Sequence, residues 1–253
     1  MTTKDFGRIE TDYAFFMAHA TEAKNDAAEY CRQLSGFPQG RKSLRLLDLG
    51  CGTGDFTQRL LQALDWPPEM LQLMLVEPVP HQREAAACRL APFSRFAIET
   101  ASALPSQAAP TYDLALSNHV LYYVDNLEAT LQQMLRLVQP AGKLLLAMAG
   151  WENTLVRIWK SGFDLLERPV PYHVSEDVAA ILTAQQIPFR KTGVGYRLCF
   201  TDTVENRTRI LRFLFGEFLQ QVPLQELLSE FDRDRQGDQI LIETASDHYV
   251  IDV

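Results

Sequence analysis

The chain has 253 residues, of which 47% are hydrophobic and 10% aromatic, and its formal net charge is −8. This composition excludes a disordered chain, and no uncharged apolar stretch approaches the roughly 20 residues that cross a bilayer. A negative charge without runs of Lys or Arg also opposes binding to the phosphates of nucleic acid. The first ten residues are partly acidic and contain no apolar segment, so we expect a cytoplasmic protein without a secretion signal.

Apolar residues at helical spacing over residues 10–34 predict one or two helices, followed by a break in SGFPQGRKS. From there, apolar runs of strand length alternate with amphipathic segments. The predicted strands are 44–49, 71–77, 96–100, 112–117 and 143–148, and the predicted helices between them are 55–65, 80–90 and 125–138. Such alternation predicts right-handed crossovers and a parallel sheet that is covered by helices on both faces.

The pattern changes after Gly150 and becomes mainly helical. We expect helices over 151–169, 175–187, 203–220 and 223–234, and a strand over 188–200. Ser175 is the expected N-cap of the second of these helices. The last segment, 238–253, contains two alternating runs around residues 245–247 that can pair as an antiparallel hairpin.

A glycine-rich turn follows the first predicted strand, in the segment LRLLDLGCGTGDF. Gly50, Gly52 and Gly54 let the backbone turn tightly and approach a ligand without obstruction by Cβ atoms. Glu77 ends the next strand, where its carboxylate can accept hydrogen bonds from both hydroxyls of a ribose. The pattern therefore predicts a nucleoside cofactor, and a plain strand-to-helix turn is the alternative.

Ribose binding alone does not distinguish NAD from S-adenosylmethionine (SAM), because both contain adenosine. A dinucleotide places its pyrophosphate at the N-terminus of the helix, where Asp55 would repel it. SAM has no phosphate, and its ammonium and sulfonium groups are attracted to carboxylates such as Asp48 and Asp55. The spacing GxGxG, with Asp48 two residues before the first glycine, also differs from the GxGxxG of dinucleotide sites. Both observations favour SAM.

The sequence LLDLGCGTG resembles the first motif of class I SAM-dependent methyltransferases. The resemblance implies an α/β, Rossmann-like fold with a seven-stranded, mostly parallel sheet, a C-terminal antiparallel hairpin and a helical cap over the active site. We therefore expect an N-terminal helical cap over residues 1–40 and a SAM-binding core over 41–150. Residues 151–253 should form lid helices over the substrate and the closing strands of the same sheet.

The chain is also similar from end to end to histamine N-methyltransferase and its relatives. The shared segments are HATE in the N-terminal helix, VEP followed by Gln82, HVLYYVDNLEATL, GW, YHVSEDV and IETASDHYVID. The resemblance assigns Glu22 to the substrate amine and places Asn118 where adenine and substrate meet. Together with the glycine turn, it gives the expected SAM-binding residues as Asp48, Gly50, Gly52, Gly54, Glu77, Gln82, Ala101, Ser102 and Asn118.

Two substrate contacts of that family are replaced in this chain. Its glutamine before the LYY segment is His119 here, and its C-terminal asparagine falls at Thr244. A side-chain amide both donates and accepts hydrogen bonds, whereas a hydroxyl and a titratable ring offer different partners. We therefore expect a small amine or imidazole acceptor other than histamine, with histamine poorer by about 10- to 100-fold.

Methyl transfer from a sulfonium is an in-line displacement, so the protein mainly aligns donor and acceptor and excludes water. An amine acceptor must arrive unprotonated, and Glu22 or His119 can take its proton. The π-faces of Tyr122 and Tyr123, which follow the fourth strand, can hold a cationic amine or shield the sulfonium. Tyr123 is also an expected substrate contact, together with Thr244. The alternatives are a solvated Glu22, a loop histidine at His119 and tyrosines that only fill the core.

The remaining features set limits on partners. The cysteines and histidines are widely spaced, so we expect neither disulfides nor a metal site, and His248 should be a surface or capping residue. SNHVLYY stands where enzymes that methylate nucleic-acid bases carry DPPY or NPPY. We expect a small-molecule acceptor, no nucleic-acid or membrane partner, and a monomer. The alternatives are a SAM-binding regulator without turnover and an NAD-dependent reductase.

Overall fold

The computed structural model describes residues 7–37, 39–106 and 111–253, and its centre is one mixed sheet. The strands are β1 (Leu44–Leu49), β2 (Leu71–Val76), β3 (Glu99–Ala101), β4 (Tyr112–Asn118), β5 (Val138–Met148), β6 (Arg190–Thr201), β7 (Arg235–Gln236) and β8 (Gln239–Asp252). Seven of them are ordered β3-β2-β1-β4-β5-β8-β6, and the short β7 pairs with one end of β8. Strands β1 to β5 are parallel, whereas β8 is antiparallel to both β5 and β6. The predicted mostly parallel α/β sheet is confirmed.

Helices cover both faces of this sheet. They are α1 (Glu10–His19), α2 (Glu22–Gln33), α3 (Asp55–Leu64), α4 (Pro80–Leu90), α5 (Leu127–Leu137), α6 (Thr154–Leu165), α7 (Ser175–Ala184), α8 (Val204–Phe215) and α9 (Leu224–Ser229). Because successive strand residues point to opposite faces, Leu46 belongs to the core that contains residues of α2, α3 and α4, while Leu47 belongs to the core that contains residues of α5 to α8. The near-continuous apolar runs of the central strands are explained by burial on both faces.

The strand order reverses between β1 and β4, which lie side by side at the centre of the sheet. At such a point the loops that follow two neighbouring strands diverge and leave a crevice at the carboxyl edge. Gly50 begins the loop after β1, and His119 begins the loop after β4. The topology therefore brings the predicted cofactor turn and the predicted acceptor residues to one crevice.

Strands β6 and β8 extend beyond the carboxyl edge of the sheet. β5 ends at Met148, but residues 194–201 and 239–246 continue to pair with each other as a two-stranded ribbon. The turn between α1 and α2 is attached to this ribbon, since the N–H of Thr21 donates to the carbonyl oxygen of Arg197 at 2.8 Å. Helix α1 also packs on α8. The N-terminal helices thus lie beside the edge where a cap was predicted.

The C-terminal segment differs from the prediction of a hairpin around residues 245–247. Gln239–Asp252 is one continuous strand, because β6 pairs with residues 239–250 and β5 pairs with residues 247–252. The antiparallel pair that closes the sheet is β6 with β8, and the connection between them contains α8 and α9.

Several helices and strands begin or end at residues other than the predicted ones. The N-cap of α7 is Val174 rather than Ser175, whose hydroxyl instead donates to the Asp247 carboxylate at 2.6 Å. Helix α8 stops before Gly216, where φ is 54°, and a 3₁₀ turn follows instead of the rest of the predicted helix. β3 begins at Glu99 and is shorter than predicted.

The described residues were also compared with the features of membrane-spanning and disulfide-bonded proteins. Across them, no helix combines the length and the apolar character that crossing a bilayer requires. The four cysteines are free thiols.

Candidate active site

The glycine turn joins β1 to α3 at the crevice. Gly50, Gly52 and Gly54 all have positive φ angles, between 53° and 81°, which residues with a Cβ atom rarely adopt. A Cβ atom at Gly50 would collide with the side chain of Val120 in the loop after β4, whereas one at Gly52 would meet no atom within 4 Å. The turn therefore packs tightly against the neighbouring loop and leaves its backbone open at Gly52.

Glu77 follows β2 and lies beside this turn. Its carboxylate accepts hydrogen bonds from the N–H groups of Gly52, at 3.1 Å, and Val79, at 2.9 Å. Its own N–H donates to the carbonyl oxygen of Ala101 at 3.0 Å, and Ser102 is exposed just beyond. The ends of β1, β2 and β3 thus bring these predicted cofactor residues together.

Asp48 lies on β1 directly below the turn and is only 3% exposed. Its carboxylate accepts a hydrogen bond from the hydroxyl of Thr57. Burial raises the pKa of Asp48 to about 7, against the effect of that hydrogen bond, and the nearby charge of Glu77 raises it further. A cation at this position would stabilise the ionised form of Asp48.

Asp55 begins α3, but its charge is not free to repel a phosphate. Arg89 of α4 forms an ion pair with it, and the Thr53 hydroxyl donates to the same carboxylate. Asp55 would therefore repel a dinucleotide pyrophosphate less strongly in the folded chain than the sequence suggested. Gln82, in the first turn of α4, is half-buried on the same side of the crevice.

The acceptor side of the crevice contains two acidic residues of α2, Glu22 and Asp26, one helical turn apart. The Nε2 atom of His119 lies 3.0 Å from Asp26 Oδ2 and 3.6 Å from Glu22 Oε1. Asp26 is completely buried and Glu22 is only 9% exposed. The alternative of a solvated carboxylate at Glu22 is therefore wrong.

Strands β6 and β8 add three polar residues that the sequence analysis missed. His248 Nε2 lies 2.8 Å from Asp26 Oδ1, and the Ser246 hydroxyl donates to Glu22 at 3.2 Å. The Tyr196 hydroxyl accepts a hydrogen bond from Asn153 at 3.1 Å, and its interaction with Glu22 lowers the pKa of that carboxyl. His248 is 1% exposed, so its interpretation as a surface or capping residue is wrong. The available signal was the pair of polar residues two apart, at 246 and 248, which share one face of the strand with the apolar Ile240, Ile242 and Val250.

His119 is held at both ring nitrogens. Its Nδ1 atom lies 2.9 Å from the Tyr122 hydroxyl, which in turn accepts a hydrogen bond from the Ala149 N–H at 2.5 Å. The backbone of His119 has a φ of 58°, an uncommon value for a residue other than glycine that is concentrated at functional sites. The Tyr123 ring packs edge-on against Tyr172, with 5.2 Å between centroids.

The charges of this cluster are strongly coupled. Burial alone would lower the pKa of His119, but the carboxylates of Glu22 and Asp26 raise it to about 9. Burial opposes the charge of Asp26, yet the hydrogen bonds and charges of His119 and His248 lower its pKa to about 2. Burial raises the pKa of Glu22, which the charge of His119 only partly opposes. At neutral pH His119 is therefore protonated and Asp26 ionised.

Two other predicted contacts occupy different positions. The hydroxyl of Thr244 accepts a hydrogen bond from the Thr154 N–H at 3.0 Å, at the start of α6. Thr244 also lines an open groove of about 370 Å³ on the ribbon, so a substrate contact there stays a prediction. The Nδ2 atom of Asn118 lies 3.5 Å from Asp26, which places this residue between the two halves of the site.

Glu22, Asp26 and His119 each offer one ligand-type atom, and these atoms lie within 4.8 Å of one another. Asp26 already forms hydrogen bonds with His119 and His248, and Glu22 accepts one from Ser246. We assign no metal to this cluster, and the expectation that the protein uses none stays a prediction.

Comparison with known proteins identifies the family. A family model for the methyltransferase domain matches residues 19–184. Malonyl-[acyl-carrier protein] O-methyltransferase of Erwinia pyrifoliae is 32% identical over 240 residues, which cover 86% of this chain and 84% of that protein. The chain belongs to the SAM-dependent methyltransferases. Membership of this family rules against the alternative interpretation as an NAD-dependent reductase.

Solved structures have the same fold as the methyltransferase. The YcgJ protein of Bacillus subtilis has a TM-score of 0.57 at 13% identity, with 89% of this chain and 99% of that chain covered. A possible histamine N-methyltransferase of Thermotoga maritima has a TM-score of 0.53 at 14% identity, with 98% and 97% covered. At these identities the likeness shows the fold alone.

The crevice of the methyltransferase fits SAM. The Oδ1 atom of Asn118 and the hydroxyl of Tyr30 are buried without a hydrogen-bond partner among the residues that the structure describes. Buried polar atoms of this kind cost free energy unless a partner arrives, and SAM offers donors and acceptors in its adenine, ribose and amino-acid groups. The open backbone at Gly52 and the acidic residues Asp48 and Glu77 suit its ribose and its cationic groups.

Proposed function

We propose that the methyltransferase transfers the methyl group of SAM to a nitrogen atom of a small amine or imidazole. The observation that carries the proposal is the buried cluster of Glu22, Asp26, His119 and His248 next to the glycine turn. Because its carboxylates concentrate negative charge in a region of low dielectric constant, the cluster favours a ligand that donates hydrogen bonds or carries positive charge.

Electrostatics distinguishes the two candidates for proton removal. SAM supplies an activated methyl group on a sulfonium, so the protein's task is to present the acceptor nitrogen with a free lone pair. His119 has a pKa of about 9 and is already protonated at neutral pH, so it can donate a hydrogen bond but cannot accept the proton. The raised pKa of Glu22 makes its carboxylate the better proton acceptor, with the proton moving from the ammonium nitrogen to a Glu22 oxygen.

Aromatic side chains on the same side of the crevice support a role for Tyr122 and Tyr123. The Tyr122 ring lies 5.5 Å from Trp159, and Tyr123 lies 5.6 Å from Tyr122, measured between centroids. Such a cluster excludes water from the reacting atoms, and its π-faces attract a cationic amine. Burial also raises the pKa of both tyrosines well above the ordinary value, so they remain neutral hydroxyls.

We infer that histamine itself is a poor acceptor. His119 is bonded to Asp26 and Tyr122, and the Thr244 hydroxyl is bonded to α6, so neither reproduces the free amide groups of histamine N-methyltransferases. A histamine ring placed there would leave polar atoms without partners, which lowers specificity by about 10- to 100-fold. A different imidazole or amine should fit better.

The name of the Erwinia relative makes O-methylation of a malonyl carboxylate on a carrier protein the second candidate. Such an acceptor would bring a third carboxylate to Glu22 and Asp26. The cation of the cluster, His119, already bonds to both of them. Charge therefore favours the nitrogen acceptor over the malonyl group.

The deciding experiment is a screen with SAM labelled in its methyl group. Its acceptors are biogenic amines, imidazoles, amino acids and a malonyl thioester, with Glu22→Gln as the matched variant. We expect an amine or imidazole other than histamine to give the highest kcat/KM, and Glu22→Gln to lower it by about 10²- to 10⁴-fold. Malonyl thioester as the best acceptor, or full activity of Glu22→Gln, would contradict the proposal.

A further inference from the structure

Asp26 connects two histidines that are far apart in the sequence. Its Oδ1 atom lies 2.8 Å from His248 Nε2, and its Oδ2 atom lies 3.0 Å from His119 Nε2. Both carboxylate oxygens are therefore engaged by imidazoles, and the carboxylate is completely buried. Hydrogen bonds of this kind are strong because one partner is charged and water does not compete.

The bridge fixes the direction of the His119 ring. Asp26 holds Nε2 and the Tyr122 hydroxyl holds Nδ1, so the ring is fixed at opposite sides. In this orientation Nε2 also lies 3.6 Å from Glu22 Oε1. A ring held at one nitrogen could turn away from Glu22, but a ring held at both cannot. The uncommon backbone angle of His119 is maintained by the same contacts.

His248 completes the bridge from the other side. Its ring is buried and packs edge-on with Tyr30, with 5.0 Å between centroids. Its Nδ1 atom has no hydrogen-bond partner among the described residues. The hydrogen bond that orients the Asp26 carboxylate from this side is therefore the one from Nε2. Groups that touch a reacting centre need such support, because a displacement of about 1 Å can lower the rate 10²-fold.

We propose that Asp26 is a positioning residue of the methyl-transfer site: its carboxylate, bridged between His248 and His119, holds the His119 imidazole beside Glu22 and the acceptor. The inference rests on the proposed function for the identity of the acceptor but not for the bridge itself. The titratable groups that face His119 are Glu22 and Asp26 from α2 and Tyr122 from its own loop. Among the described residues, His248 bonds to the Asp26 carboxylate, and Tyr196 lowers the pKa of Glu22.

The test is Asp26→Asn, which keeps the shape of the side chain and removes its charge. We expect kcat to fall about 10²-fold with little change in the KM of the acceptor or the Kd of SAM. The pH profile of kcat should shift as well. In NMR titrations, with the His119 signals assigned by comparison with His119→Gln, the midpoint should fall from about 9 in the wild type toward the ordinary value.

Asp202→Asn is the matched control. Asp202 is a mostly buried carboxylate that pairs with Arg207 at 2.6 Å and Arg235 at 3.2 Å at the tip of the ribbon. Its loss should lower stability while leaving the pH profile and the His119 midpoint unchanged. The control therefore distinguishes a general loss of stability from a loss of the orientation of His119.

Two results would overturn the inference: wild-type kcat with an unchanged pH profile in a folded Asp26→Asn protein, or a wild-type His119 that titrates at its ordinary value. The second measurement needs no acceptor and no variant of Asp26, so it remains decisive if Asp26→Asn does not fold. His248→Gln, which removes the other half of the bridge, should shift the His119 midpoint in the same direction by a smaller amount. If no nitrogen compound is methylated but the midpoints behave as expected, the proposed acceptor is wrong and the bridge stands.

Discussion

Asp26 and Asp48 are two buried aspartates at the same crevice, yet their pKa values move in opposite directions. Asp26 is completely buried and its pKa falls to about 2, whereas Asp48 is 3% exposed and its pKa rises to about 7. Burial raises the pKa of both side chains. The difference is that two imidazoles bond to Asp26, while Asp48 has the hydroxyl of Thr57 and the unfavourable charge of Glu77.

The buried negative charges in the two halves of the crevice are balanced in different ways. On the acceptor side, the negative charge of Asp26 is balanced by groups of the protein itself. On the cofactor side, the charge of Asp48 has no such partner in the described part of the chain, and a cationic ligand such as SAM would stabilise it. The ionisation state of Asp48 should therefore change with ligand binding and with pH near neutrality more than the ionisation state of Asp26 does.

The largest expected effect is the loss of stability in Asp26→Ala. Removing this carboxylate leaves buried imidazoles without their charged partner, which should lower the free energy of unfolding by about 3–5 kcal/mol. Urea unfolding at neutral pH measures it, and a double-mutant cycle with His119→Gln isolates the pairwise coupling. Equal losses of unfolding free energy in Asp26→Ala and Asp48→Ala would contradict the stronger compensation of Asp26.

The second prediction concerns the pH dependence of stability in Asp48→Asn. The folded pKa of Asp48, about 7, lies above its ordinary value of 3.8, so its contribution to stability is full below 3.8 and is lost as pH rises to about 7. Relative to the wild type, Asp48→Asn should therefore gain about 2–4 kcal/mol over this range when SAM is absent. Unfolding curves collected at several pH values provide the measurement, and a pH-independent difference would contradict the raised pKa.

The third prediction separates cofactor binding from the acceptor side. Glu77→Ala should weaken SAM binding by about 1.5–3 kcal/mol, because a charged hydrogen-bond acceptor for ribose is lost. Glu84→Ala, on the exposed part of α4, serves as the control, and equilibrium titration with SAM gives both Kd values. If Glu77→Ala binds SAM as tightly as the wild type, the ribose assignment fails.

The smallest expected effect belongs to Gly50→Ala. The new methyl group would collide with Val120 and would force an unfavourable positive φ, lowering the free energy of unfolding by about 1–3 kcal/mol. Gly52→Ala has space for its methyl group, so its stability loss should be smaller and its effect on SAM binding larger. Thermal unfolding and SAM titration of the two variants test this contrast, and the reverse order would contradict it.

The elements formed by residues close together in the chain could be predicted from the sequence. The strands up to β5, the helices between them and the glycine turn follow from residues that are close in the chain, because hydrophobic periodicity and glycine conformation act over a few positions. Asp48, Gly50, Gly52, Gly54 and Glu77 were predicted in this way as cofactor residues, at the ends of strands that a parallel sheet must align.

The hydrogen-bonded cluster of the acceptor half depended on contacts that form only when the chain folds. Asp26 of α2, His119 after β4 and His248 of β8 meet through side-chain hydrogen bonds across more than 200 positions of sequence, which no local pattern records. The straight course of β8 was likewise set by its partners, since β6 pairs with residues 245–247, where the sequence suggested a turn, and β5 pairs with the strand from residue 247 onward. Pairing and burial depend on which surfaces come together in space, and this physical fact decided both the final strand and the charge state of the site.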